Sequence, residues 1–176
     1  MPNRDIQGRT WADADAAHSS VSTWVPAQQT ACFDYVADFS RHDEWTTNPV
    51  KIAALDDDSH GLGARYRAVG RQAGKDWPSE LEVTVYDRPL TFEFTATGGP
   101  IGTPDADPHR HTFTFTAEDS GTRITLVRRD PYPPEWTRLK RALGPVIVRL
   151  SLGIRKRTVA HLGQRLTATP SQTSAG

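Results

Sequence analysis

The chain has one cysteine, one methionine, no long apolar run and no acidic side chain after Glu135. A lone Cys32 cannot form an intramolecular disulfide, and it has no cysteine neighbours for a zinc site, so it reads as core filler. The longest uninterrupted apolar stretches are only a few residues, and residues 1–20 carry Arg4, Asp5, Arg9, Asp13 and Asp15 without an apolar block. Neither a membrane-spanning helix nor a signal peptide is therefore expected, and a soluble cytoplasmic protein is the default. Formal net charge is zero, yet residues 1–135 hold 13 Lys and Arg against all 21 Asp and Glu, while the last 41 residues hold 8 Lys and Arg and no acid. That basic segment suits a solvated helix face, the mouth of an anionic-ligand site, or a membrane or nucleic-acid surface. The solvated face is preferred and no nucleic-acid partner is expected, because the motifs of nucleic-acid binders are missing.

What is present is enough for one domain with a sizeable core in 176 residues. Residues 1–18 and 167–176 are polar and aperiodic and read as poorly ordered tails, leaving a domain over 19–166. "SSVSTWV" alternates Val21, Thr23 and Val25 against Ser22 and Trp24, a first strand ending at Pro26. In "AQQTACFDYVADF" apolar residues fall at helical spacing, and "SRHDEW" restarts a helix with Ser40 as N-cap and Asp43 three residues on. Six further short segments follow, from "VKIAAL" to "TRITLVRRD", rich in β-branched and aromatic residues and separated by Gly, Pro and Asp turns. The period then changes. Trp136, Leu139, Leu143, Val146, Leu150 and Ile154 recur at three and four, with Val159, Leu162 and Leu166 continuing the stripe of one long helix, kinked near Leu143 to Pro145. The expected fold is α+β: a seven-stranded curved antiparallel sheet wrapped around a long C-terminal helix, with two short helices after the first strand.

"VPAQQTACFDYVADFSRHDEW", "LGARY", "VYDRPLTFEF" and "HTFTFTAEDSGTRITL" resemble the polyketide cyclase/dehydrase and lipid-transport family of the START-like (Bet v 1-like, SRPBCC) superfamily, from about Val21 to Leu166. The resemblance implies a helix-grip fold with a deep, mainly apolar cavity for hydrophobic small molecules such as polyketides, lipids or sterols. Similar proteins include aromatase/cyclases, carriers and sensors, so the resemblance does not fix a reaction. Its signatures here are structural: Asp38 and Ser40 organise two helix ends, and "YDRP" ends a strand.

Function has to come from polar residues whose strand parity points them inward. In "DPHRHTFTFT" His109 and His111 share the parity of Phe113 and Phe115. Taking "EDSG" as the loop, with its glycine in the left-handed position, pairs Ala117 with Thr122. The register then sets Phe115 against Ile124, Phe113 against Leu126, His111 against Arg128, and His109 against Asp130. Cross-strand partners lie about 5 Å apart at Cβ, so Arg128 and burial would both keep His111 neutral and able to act as a base. Arg128 would hold an enolate, carboxylate or phenolate oxygen. The competing reading places both at fraying strand ends, with Arg128 reaching outward or pairing with Asp130 or Glu135. A metal pair from His109 and His111 lacks the third and fourth ligands a zinc site wants.

Further candidates for the cavity wall are Tyr66, whose neighbours in phase are Ala68 and Gly70, and Trp77, in phase with Leu81, Val83 and Val85. Trp45 and Trp136 flank the expected mouth, and Phe113, Phe115, Leu126, Leu143 and Ile147 complete the set. The Gly/Pro-rich "TGGPIGTPDADP" is long enough for a lid. Two hypotheses follow. The first is a cofactor-free and metal-free cyclase/dehydratase of secondary metabolism, such as antibiotic biosynthesis, with His111 and Arg128 as catalytic residues. The second is a noncatalytic carrier or sensor of a lipid-like or aromatic ligand. Docking of a partner or membrane surface through Arg138, Lys140, Arg141, Arg149, Arg155, Lys156 and Arg157 is a third option, without membrane insertion. Oligomeric state stays open, with a dimer among the options.

Overall fold

A computed structural model describes residues 6–56, 60–72, 74–98 and 108–168. It shows strands β1 (Gln7–Ala12) and β2 (Ala16–Val25), helix α1 (Gln29–Ala37), a single 3₁₀ turn at Phe39–Arg41, and helix α2 (His42–Trp45). Six strands follow: β3 (Val50–Ala54), β4 (Arg65–Gln72), β5 (Lys75–Asp87), β6 (Thr91–Gly98), β7 (His109–Glu118) and β8 (Gly121–Pro131). Helices α3 (Arg138–Ala142) and α4 (Gly144–Ala168) close the chain. One antiparallel sheet runs β1-β2-β8-β7-β6-β5-β4-β3, and α4 crosses it against β2 and β1. This is the helix-grip arrangement, with eight strands instead of seven. The extra one is β1, in the stretch expected as a tail. Its polar side chains hide it from a search for alternation, because it pairs by backbone with β2 at the sheet edge, Gly8 opposite Val21 and Thr10 opposite Ser19. Residues 99–107, which make up most of the lid candidate, lie outside the described residues, as do 1–5 and 169–176.

Period-two alternation decides which faces go inside. Val21, Thr23 and Val25 of β2, Phe92 and Phe94 of β6, Phe113 and Phe115 of β7, and Ile124 and Leu126 of β8 are all buried on one face. They meet Phe33, Val36 and Phe39 from the α1 region and Val159, Leu162 and Leu166 from α4 in one core. Cys32 belongs to this core, and burial pushes its thiol up to about 11. Asp38, not Ser40, caps the 3₁₀ turn: its carboxylate accepts the Ser40 N–H at 3.0 Å and the Ser40 hydroxyl at 2.6 Å. With φ near −84° and ψ near 98°, Asp38 sits where an N-cap must, one residue before the turn begins.

The β7–β8 register agrees with the expected pairing: Ala117 to Thr122, Phe115 to Ile124, Phe113 to Leu126 and His111 to Arg128. The turn itself is tighter, since Glu118 pairs with Gly121 and leaves only Asp119 and Ser120 at the tip. Asp119 takes the left-handed conformation (φ 53°), a position Asp tolerates, so Gly121 serves another purpose. A Cβ there would collide with the Val25 carbonyl oxygen and come within 2.6 Å of the Trp24 ring. Gly121→Ala is therefore expected to destabilise the protein by about 1–3 kcal/mol through overpacking, read as a lower urea midpoint at unchanged m-value.

The C-terminal segment departs most from expectation. In place of the expected kink the helix is interrupted at Leu143, which keeps a right-handed helical conformation, and α4 starts at Gly144 with Pro145 in its first turn, where a missing amide donor costs nothing. Thr137 caps α3 through the Lys140 N–H. The single stripe is two stripes. Val148, Val159, Leu162 and Leu166 are buried, whereas Leu139, Leu143, Val146 and Leu150 are 54–79% exposed and Ile154 is 37% exposed. The reason is visible in the numbering: Leu150 to Val159 is nine residues, a rotation of about 180° around a 3.6-residue helix, while Ile154 lies between the two faces. No helix among the described residues is long and apolar enough to cross a membrane.

Candidate functional site

Between the concave face of the sheet, α2 and α4 lies a cavity of about 360 Å³. Its space follows from small side chains placed side by side: Ala68 of β4 pairs with Ser79 of β5, which pairs with Gly98 of β6, and Leu81 pairs with Ala96. Larger side chains close the other walls, Trp45 from α2, Phe94, Phe113 and Leu126 from the sheet, and Ile154 from α4. A second chamber of about 280 Å³ lies beside it under the α3–α4 break, walled by Tyr132, Pro133, Trp136, Gly144 and Val148. Asn48, His109, Arg128, Ile154 and Arg155 border both chambers.

The polar centre of this double cavity is Asp130. Its carboxylate accepts Arg128 Nε at 2.7 Å and a terminal Arg155 nitrogen at 2.7 Å, and it lies 2.9 Å from His109 Nδ1. Arg155 also bonds the Ser19 hydroxyl, so one guanidinium ties α4 to both β8 and β2. Burial alone would raise the Asp130 pKa, but the His109 hydrogen bond and the two guanidiniums hold it far below the carboxylate range. Arg155 is shifted down, by burial and then by the neighbouring Arg128.

His111 sits opposite Arg128 and stacks on Phe94, ring centroids 4.7 Å apart at 11°. Burial first, and then Arg128, lower its pKa well below the ordinary imidazole value. The remaining side-chain surface of His111 faces the cavity it lines, and among the described residues its ring nitrogens make no hydrogen bond. It is thus a neutral imidazole with a free lone pair. Arg128 likewise spends Nε on Asp130 and has no other acceptor among the described residues.

Of the wall residues expected from sequence, Trp45, Phe113 and Leu126 line the larger chamber and Trp136 the second. Tyr66 and Phe115 point inward but pack in the core, Tyr66 on Phe39 and Phe115 on Phe33, and do not line either chamber. Trp77 lies beyond Ser79, the last β5 residue on the wall, and Leu143, at the junction of α3 and α4, is more than half exposed. The Ile147 side chain is outside the described set. Among the described residues no three His, Cys, Asp or Glu are grouped to hold a metal ion, and His109 is committed to Asp130.

Sequence reasoning missed Phe94, His42 and Arg155. The inward phase of Phe94 with Phe92 was readable, whereas Arg155 looks from sequence like one more solvated base. His42 is fully buried, its Nε2 donating to the Val36 carbonyl at 2.8 Å, and lies on the cavity wall beside Trp45 and Phe94. Burial pushes its pKa down to about 4, against weaker upward pulls from the Val36 bond, Asp38 and Asp43. The unfolded chain takes up this proton near pH 6.5 while the folded one resists until about 4. The His42 contribution to folding stability is therefore complete above pH 6.5 and declines by about 3 kcal/mol on going down to pH 4. Urea titrations of wild type and His42→Gln across that window should show the slope shrink in the variant.

The family model for polyketide cyclase / dehydrase and lipid transport matches residues 16–167. The chain belongs to this family. Solved structures agree on the fold. Protein Ms6760 from Mycobacterium smegmatis superposes with a TM-score of 0.65 at 20% identity, covering 93% of this chain and 98% of its own. TTHA0849 from Thermus thermophilus gives 0.65 at 19% identity, with 86% and 98% covered. CV1439 from Chromobacterium violaceum gives 0.62 at 12% identity, with 86% and 99% covered. Among curated proteins, none matches this sequence. This polyketide cyclase/dehydrase-family chain thus shares its scaffold widely, while its polar cluster has to be interpreted from its own residues.

Proposed function

We propose that this protein binds a hydrophobic, oxygenated small molecule in the larger chamber and catalyses its cyclisation or dehydration in secondary-metabolite biosynthesis. The observation that carries the reading is the juxtaposition of a neutral, unpartnered His111 with the free guanidinium end of Arg128 in a cavity whose surface is mainly apolar. In the proposed step His111 takes a proton from a carbon next to a carbonyl, and the electron pair moves onto the carbonyl oxygen, which Arg128 stabilises as an enolate. The enolate carbon bonds to a second carbonyl carbon of the same folded chain. The new alkoxide takes the proton back from His111, and loss of water then completes an unsaturated ring. The cavity supplies orientation by holding both carbonyls within bonding reach. Turnover of a linear poly-β-ketone by wild type, His111→Phe and Arg128→Gln tests this. Undiminished rates in both variants, with binding intact, would remove the pair from the mechanism.

A noncatalytic carrier is the second reading, favoured by the tie between Arg128 and Asp130, which also gives Arg128 a structural use. Native mass spectrometry of gently purified protein separates the two: an unchanged co-purified lipid supports carriage, conversion of an added ketone supports catalysis.

A further inference from the structure

The two chambers meet at a neck bordered by Asn48, His109, Arg128, Ile154 and Arg155, and charge is out of balance there. Arg128 and Arg155 are the cations among the described lining residues of both chambers, and Asp130 is the only carboxylate among them. Both Asp130 oxygens are already taken, one shared by His109 and Arg128 and the other bonded to Arg155. Elsewhere Arg88, Arg123 and Arg129 each face a carboxylate of their own, Asp34, Glu118 and Asp15. The neck therefore carries one positive charge in excess, between chambers whose other walls are mainly apolar. A cation in such surroundings is costly until an anion joins it, and the terminal nitrogens of Arg128 are the donors left to receive one.

Two more polar groups lack partners among the described residues. Trp45, only 3% exposed and on the wall of the larger chamber, has a buried Nε1–H with no acceptor, and the buried Tyr132 hydroxyl in the second chamber is also unbonded.

We propose that the ligand of this protein is a hydrophobic organic anion, its charged oxygen held at the neck by the terminal nitrogens of Arg128 and its apolar body lying in the larger chamber. This rests on the cavity-binding reading above and adds to it the class of ligand. The anion completes the neck by giving the second guanidinium a counter-charge. The apolar body meets Phe94, Phe113 and Leu126.

Calorimetric titration with 2-naphthoate, methyl 2-naphthoate and 2-naphthalenemethanol tests the proposal, because the three share a ring system and only the first is charged. Naphthoate is expected to bind at least about tenfold more tightly than the other two, the worth of a charge-assisted hydrogen bond pair. Arg128→Gln should abolish that preference, and Arg128→Lys should restore part of it. Equal binding of all three by wild type overturns the anion assignment while leaving the cavity reading intact. Binding of none of them overturns both. Should Arg128→Gln fail to fold, the wild-type comparison of acid with ester decides alone.

Discussion

Replacing Asp130 with asparagine is expected to cost about 3–5 kcal/mol of unfolding free energy, because it leaves two guanidiniums without their counter-ion. Asparagine keeps the shape but removes the charge that faces Arg128, 28% exposed, and Arg155, 12% exposed. Both guanidiniums would then stand in a weakly solvated place without a counter-ion. Because Arg155 belongs to α4 and Asp130 to β8, the same change loosens the grip of helix on sheet, and amide exchange in the middle of α4 should accelerate. Chemical denaturation measures the first effect and exchange the second. A control is Asp34→Asn, which breaks an exposed pair with Arg88 and should leave the midpoint where it was. The pH dependence separates the contributions. A carboxyl with a depressed folded pKa stabilises above its unfolded value, about 4, and that stability drains away only below it. The His42 contribution is lost earlier, between pH 6.5 and 4. Wild type should lose stability in both windows, and Asp130→Asn should lose less than wild type in the lower one, where Asp13 and Asp38, also held below the ordinary carboxylate range, still contribute.

His111→Phe is the second substitution with a large expected effect, and here the readout is turnover. Phenylalanine keeps the stack on Phe94, so binding of an apolar ligand should change by no more than a few-fold. Loss of the base should lower the rate by about 10²–10⁴. The acid limb of the wild-type rate profile should fall below the ordinary imidazole value of 6.5, because only the neutral ring accepts a proton and burial with Arg128 keeps it neutral to lower pH. Arg128→Gln removes the second of those causes, so its acid limb should move upward even as the rate drops. An unshifted limb in that variant would assign the titration to some other group. His111→Phe should also resist acid better than wild type, since a depressed imidazole pKa makes the native state bind fewer protons than the unfolded chain below pH 6.5.

The hairpin β7–β8 shows how far local rules reach. Parity and a turn signal are enough to place His111 against Arg128, although the turn is two residues long with Asp119, not glycine, in the left-handed position. The register survives that error because a loop of two or of four residues, closed symmetrically, gives the same pairing. Leu143 shows the opposite case. A repeat of three and four proves that a helix has an apolar stripe, but it does not say which partner the stripe faces. Tyr66 and Phe115 mark a third limit, since an inward parity cannot tell a core position from a cavity wall.

The sequence by itself determined the fold family, the antiparallel sheet closed by a C-terminal helix, and the opposition of histidine and arginine on the inner face. These depend on periodicity and on neighbours across one hairpin. Only the tertiary structure decided that β1 joins the sheet, that the helix breaks into two stripes, and that Arg155 swings from α4 onto Asp130. Those features arise from contacts between residues such as Ser19, Asp130 and Arg155, far apart in the chain, where burial and charge are set by which surfaces meet and not by local spacing.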